Sequence, residues 1–230
     1  MKTIGLLGGM SWESTIHYYR AINEGIKHSL GGLHSAKIAM VSIDFAEMEI
    51  LQREGNWQGA AKILITAARN IESAGADLLL ICTNTMHIVA EEVQAAINIP
   101  LVHIADATAE ALRENNITTV GLLGTAFTME QEFYKGRLQA SHGLKVITPD
   151  AADRKHVHDI IYQELCLGKI NPESKKTYLR IIHALADQGA QAVILGCTEI
   201  GMLITQHDTE IPLFDTMTLH SKKAVALAID

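Results

Sequence analysis

Short apolar runs alternate along this chain with longer segments of helical periodicity. The runs at 3–7, 37–43, 77–82 and 100–104, then 118–123, 144–148, 191–196 and 212–214, are mostly rich in Val, Ile and Leu and lack polar alternation. That is the pattern of parallel strands covered on both faces. Between them lie longer segments with helix signals. The stretch Ala60 to Ala68 is amphipathic, and Asp44-Phe45-Ala46-Glu47 and Thr128-Met129-Glu130-Gln131 read as capping boxes. Leu219 to Asp230 reads as a last helix that packs back on the first half. Strand–helix–strand alternation implies right-handed crossovers and a parallel sheet in each half.

The pattern is also written twice. Thr3-Ile4-Gly5-Leu6-Leu7-Gly8 returns as Thr119-Val120-Gly121-Leu122-Leu123-Gly124. Gly75 to Asn84 returns as Gly189 to Thr198, and Ile99-Pro100-Leu101-Val102 as Ile211-Pro212-Leu213-Phe214. The order is kept with only small deletions. A repeat of this length means two similar domains and not a solenoid, whose period is far shorter. The expected fold is α/β, with two pseudo-symmetric domains, each a roughly four-stranded parallel sheet flanked by helices. The expected domains are 1–104 plus 216–230, and 105–215.

Composition narrows the class. The 230 residues are 48% apolar and 20% charged, as in a compact folded protein. No apolar run approaches the roughly 20 residues needed to span a bilayer, and the start has no leader-like apolar core. Cys82, Cys166 and Cys197 form no CxxC pair and read as reduced, which points to the cytoplasm. The formal charge of −7, with no basic cluster, argues against nucleic acid. An anionic small substrate would need local counter-charges.

Ligands of parallel α/β sheets sit beyond the carboxyl ends of the strands. The segments to weigh are therefore Gly8 to Trp12, Cys82 to Thr85, Gly124 to Thr128 and Gly196 to Glu199. Pseudo-twofold symmetry would let all four meet in an interdomain cleft. Superposed, the repeats set Thr83 opposite Cys197, with Cys82 one residue out of frame and so facing the other way. Cys197 precedes a potential helix start, whose amides could stabilise a thiolate; a buried inert cysteine is the plain alternative. Asn84, Thr85, Thr125 and Thr198 can offer donors to a carboxylate, or simply cap helices. Gly5-Leu6-Leu7-Gly8-Gly9 lacks dinucleotide-fingerprint spacing, so a nicotinamide site is not expected. His156 and His158 do not share a helix face, and no metal site is read from them.

Gly-Leu-Leu-Gly-Gly-Met-Ser-Trp-Glu-Ser at 5–14, Thr-Asn-Thr-Met-His at 83–87, Gly-Leu-Leu-Gly-Thr at 121–125 and Gly-Cys-Thr-Glu-Ile at 196–200 resemble the aspartate/glutamate racemase family across essentially the whole chain. The resemblance implies racemisation of L-aspartate or L-glutamate to the D forms without pyridoxal phosphate or another cofactor. It also implies a small-molecule substrate and a homodimer. Two opposed cysteines are the family pattern; here Thr83 replaces the first, leaving Cys197 as thiolate base. An alcohol is a far weaker acid than a thiol, so Thr83 would be the poorer partner. The resemblance further implies substrate contacts from Met10, Ser11, Gln52 and Lys169, the last two toward a distal carboxylate. The alternatives are a related isomerase or decarboxylase of a dicarboxylate, and a module that binds an amino acid without turnover.

Overall fold

A computed structural model describes residues 1–230. The chain divides into two compact units, Met1–Ile104 with His220–Asp230, and Ala105–Leu219.

The first unit runs β1 (Ile4–Gly8), α1 (Trp12–Leu30), β2 (Ile38–Ser42), α2 (Phe45–Arg53), α3 (Trp57–Ser73) and β3 (Leu78–Ile81). A 3-10 turn (Thr85–Val89) then leads into α4 (Ala90–Ala95). Its sheet is parallel, in the order β2-β1-β3. Every residue of β1 and β3 is buried, as continuous apolar runs require when helices cover both faces. Helix α3 buries Ala60, Ala61, Leu64, Ala67, Ala68 and Ile71, a stripe at helical spacing. Its small side chains let it lie close to the sheet. A Cβ on Gly5 would stand 2.5 Å from Ile71 Cγ2.

The expected fourth strand at 100–104 does not form. Only one bridge remains, Leu79 with Leu101, closed by Leu79 N–H to Pro100 O and Val102 N–H to Leu79 O, each 2.9 Å. Pro100 has no N–H to give, and a helix starts at Ile104, so the segment is too short to extend the ladder.

The second unit begins on that helix, α5 (Ile104–Glu114), and continues β4 (Thr119–Gly124), α6 (Ala126–Glu130), α7 (Glu132–His142), β5 (Lys145–Ile147) and α8 (Ala151–Gln163). After a 3-10 turn (Leu165–Leu167) come α9 (Pro172–Asp187), β6 (Ala192–Gly196), α10 (Ile200–Leu203), β7 (Leu213–Asp215) and α11 (Thr216–Ile229). The parallel sheet has the order β5-β4-β6-β7. Helix α11 is shared: its first turn belongs to the second unit and its remainder to the first. Lys2 N–H donates to Ala228 O at 2.8 Å, tying the helix to the chain start. No helix is long and apolar enough to cross a membrane.

One capping box is misplaced in the sequence reading. Thr128 lies inside α6, whose N-cap is Thr125, accepting from Thr128 N–H at 3.3 Å. The helix starts directly after β4 because Thr125 already supplies the capping hydroxyl. Asp44 does cap α2, accepting from Ala46 N–H at 3.0 Å.

Candidate active site

In the first unit, six of the expected residues gather around the carboxyl ends of the neighbouring strands β1 and β3. After β1 the chain turns at Gly9, with φ 92° and no room for a side chain: a Cβ would stand 2.2 Å from Ile43 O. Ser11 is the N-cap of α1, and its carbonyl accepts from the Thr15 hydroxyl at 2.8 Å. The same hydroxyl accepts from Gly9 N–H at 2.9 Å. Met10 packs into the core with Leu7 and Met48, so this turn can present its backbone to a ligand more readily than the thioether.

After β3, Cys82 N–H still donates to Leu7 O at 2.9 Å, and Thr83, Asn84 and Thr85 follow, all buried. Thr85 starts the 3-10 turn. Buried Gln52, on α2, donates from its side-chain amide to Met86 Sδ at 3.1 Å, which sets it beside that turn. Cys82 itself is sealed, and burial pushes its thiol far above the ordinary range.

In the second unit, Thr125 directly follows β4 and Cys197 directly follows β6. Gly124 and Gly196 are register partners there. A Cβ on Gly124 would stand 2.8 Å from Gly196 O, and one on Gly196 would stand 2.8 Å from Leu123 O. The two strand ends can lie this close only because both residues are glycine. Ala126 N–H donates to His158 Nδ1 at 3.2 Å, so α8 also secures the turn after β4.

Cys197 departs from expectation. The helix that follows its turn, Ile200–Leu203, is a single turn, with Glu199 at its N-cap. The Cys197 thiol instead donates to Glu199 Oε2 at 2.9 Å, and the Thr198 hydroxyl donates to the same oxygen at 2.8 Å. Burial pushes the thiol well above its ordinary value, and the charges of Glu199 and Cys166 push it the same way. The sulfur is hydrogen-bonded to the buried side chain of Glu199.

Sequence reasoning used Glu199 only as a family marker. The readable signal was a carboxylate two residues beyond a strand-end thiol. Lys169 is exposed and follows Gly168, which adopts a left-handed φ of 68°. Its N–H donates to Glu164 O at 2.9 Å, and the Glu164 carboxylate accepts from Ser174 Oγ at 2.7 Å. The 3-10 turn before it packs beside α10, on the Cys197 side of the unit. Glu164 thus secures the loop of Lys169, a role that was not legible in the sequence.

The sequence profile of the Asp/Glu/hydantoin racemase family matches residues 7–224. The chain belongs to that family. As a member it is an amino-acid racemase, an isomerase. It is 24% identical to the broad specificity amino-acid racemase RacX of Bacillus subtilis, over 97% of this chain and 96% of that one. Among solved structures, a Yersinia pestis protein assigned as an Asp/Glu racemase is 53% identical with a TM-score of 0.93, and an aspartate racemase homologue from Pyrococcus horikoshii is 36% identical with a TM-score of 0.86. Both comparisons cover 100% of each chain. The Yersinia pestis and Pyrococcus horikoshii chains and this racemase thus share one fold from end to end.

Proposed function

We propose that this racemase interconverts the L and D forms of acidic amino acids, aspartate and glutamate, with its own side chains carrying both proton transfers. Cys197 removes the α-proton from the L-enantiomer, and Thr83 serves the opposite face of the α-carbon. The observation that carries the reading is the 2.9 Å hydrogen bond from the Cys197 thiol to buried Glu199. It gives the sulfur an acceptor for its proton, which a thiol with a raised pKa needs before it can act as a base. The thiol proton passes to Glu199, the thiolate takes the α-proton, and the carbanion is protonated from the Thr83 side. Reversal of the same steps converts D to L.

In this reading Asn84, Thr85, Thr125 and Thr198 supply donors to the α-carboxylate, with the Met10–Ser11 turn beside them. Gln52 and Lys169 meet the distal carboxylate, and Lys169 gives the local positive charge that a chain of net charge −7 otherwise lacks. Two copies of the chain form the working assembly, which sedimentation at equilibrium would test.

The deciding experiment compares the intact protein with Cys197→Ala. The expected result is loss of α-hydrogen exchange from L-aspartate and L-glutamate in heavy water, with calorimetric binding of the amino acid retained. Exchange that survives in the variant overturns the assignment. Binding without exchange in the intact protein would instead indicate a module without turnover.

A further inference from the structure

We infer that His87 is a positioning residue for Thr83: it ties the turn that carries Thr83 to the segment where the chain leaves the first unit. The inference rests on the role proposed above for Thr83.

His87 is buried, and its two ring nitrogens hold main-chain groups of opposite kind. Nδ1 stands 2.8 Å from the carbonyl oxygen of Thr83, which can only accept, so Nδ1 carries the hydrogen. Nε2 accepts from the N–H of Ile104 at 3.3 Å, so it carries none. The two bonds demand one neutral tautomer. His87 N–H also donates to Asn84 O at 3.0 Å, closing the same turn from the backbone side. The peptide plane after Thr83 is thus held at its oxygen by a ring that is anchored in turn at residue 104. The Thr83 side chain leaves the Cα at the edge of that plane.

The anchor is itself braced. His220 Nε2 donates to Val102 O at 2.7 Å, which leaves His220 Nδ1 to accept from the Tyr18 hydroxyl at 2.9 Å. The His87 ring lies 4.5 Å from that of His103 and 6.0 Å from that of His220, measured between centroids. Segment 102–104 is therefore held at one carbonyl by His220 and at one amide by His87. Tyr18 belongs to α1, the helix capped by Ser11, so one buried polar chain joins the two strand-end turns of this unit.

Burying imidazoles and a phenol costs desolvation, and apolar side chains would fill the space more cheaply. What such a network adds is a single fixed arrangement of the backbone groups it joins. A hydroxyl that must act on one face of an α-carbon needs that fixity, because a displacement of about 1 Å can cost on the order of 100-fold in rate.

The test separates the two faces of the reaction. Net conversion cannot do so, since the equilibrium constant is one and both directions fall together. Exchange of the α-hydrogen with heavy water can, measured separately for the L and D enantiomers of aspartate and glutamate. The proteins are wild type, Thr83→Ala, His87→Phe, which loses both ring bonds, and His87→Asn, whose amide N–H can stand where Nδ1 does. Thermal midpoints are recorded for all four.

The expected result is that His87→Phe follows Thr83→Ala. Exchange from the L-enantiomer persists through Cys197, while exchange from the D-enantiomer and net racemisation fall on the order of 100-fold. His87→Asn keeps the bond to Thr83 and retains more D-side exchange; it decides the matter if the Phe variant does not fold. A parallel loss from both enantiomers, undiminished D-side exchange in folded His87→Phe, or D-side exchange in His87→Asn as low as in Thr83→Ala overturns the inference. If wild type itself exchanges neither acid, the proposed function fails in that arm and takes this inference with it.

Discussion

Cys197 and Glu199 form a hydrogen-bonded pair in which a buried thiol donates to a buried carboxylate over 2.9 Å. The carboxylate has two opposed effects on the sulfur. Its charge makes the thiolate harder to form, and its oxygen gives the departing proton a place to go. The first effect raises the thiol pKa; in the proposed reaction the second lets the thiol pass its proton on.

Replacing the carboxylate separates these effects. Glu199→Gln should lower kcat by roughly 100-fold or more, within the usual range for loss of a proton acceptor, with a smaller change in KM. Removing the adjacent negative charge also lowers the thiol pKa, so a thiolate absorbance titration should move to lower pH than in the parent. The remaining activity should depend on ionisation of the thiol itself and rise with pH into the alkaline range. A pH–rate profile that matches the parent in shape would count against the pair.

The partner proposed for Cys197 can be strengthened. Thr83→Cys puts a thiol where the alcohol stands, at a position only 9% exposed. Exchange from the D-enantiomer should rise by about tenfold or more, because a thiol exchanges its proton far more readily than an alcohol. Proton exchange measured by mass spectrometry on D-glutamate provides the check. No increase would mean that residue 83 does not act on that face.

Lys169 is exposed, so its pull on a carboxylate is screened by salt. Lys169→Met should raise KM for both acidic amino acids by roughly tenfold and alter kcat less. The difference between parent and variant should shrink as salt is added. Steady-state kinetics at low and high ionic strength test both halves of the statement.

Gly196→Ala tests the close approach of β4 and β6. The new methyl would meet Leu123 O and Leu122 Cδ1, each at 2.8 Å, and the backbone oxygen cannot swing away. A stability loss of about 1–3 kcal/mol is expected from overpacking, read from denaturant midpoints. Displacement of the next residue, Cys197, should cost more in activity than the stability loss alone predicts.

His220 makes stability depend on pH. Burial, followed by the neighbouring His87, lowers its pKa from 6.5 to about 3. The unfolded chain therefore binds this proton more readily than the folded one. The associated stability is fully present above pH 6.5 and is lost as pH falls toward about 3. Within that window the loss approaches about 1 kcal/mol per pH unit. Denaturant midpoints measured from pH 7 down to pH 4 should slope more steeply for wild type than for His220→Gln.

The strands were legible because burial on both faces leaves no choice of residue but apolar ones. The runs at 3–7, 77–82 and 191–196 correspond to β1, β3 and β6 within a residue or so at each end. The run at 100–104 failed because an apolar run does not say whether a neighbouring strand has free groups along enough length to pair. Pro100 and the helix beginning at Ile104 leave a single bridge. Thr128 misled because a threonine followed by acid and amide looks the same inside a helix as before one; Thr125 had already taken the cap.

By itself, then, the sequence determined the alternation of strands and helices, the parallel sheets and the positions of the strand-end turns. These follow from periodicity and from the burial that a covered sheet imposes. Only the tertiary structure set the Cys197 thiol against Glu199 and the His87 ring against the Thr83 carbonyl. Each depends on desolvation and on hydrogen bonds formed in three dimensions: Glu199 curls back to the sulfur, and His87 joins residues 83 and 104. Composition along a chain carries no record of which buried polar groups meet, and it is that meeting that sets a pKa or fixes a peptide plane.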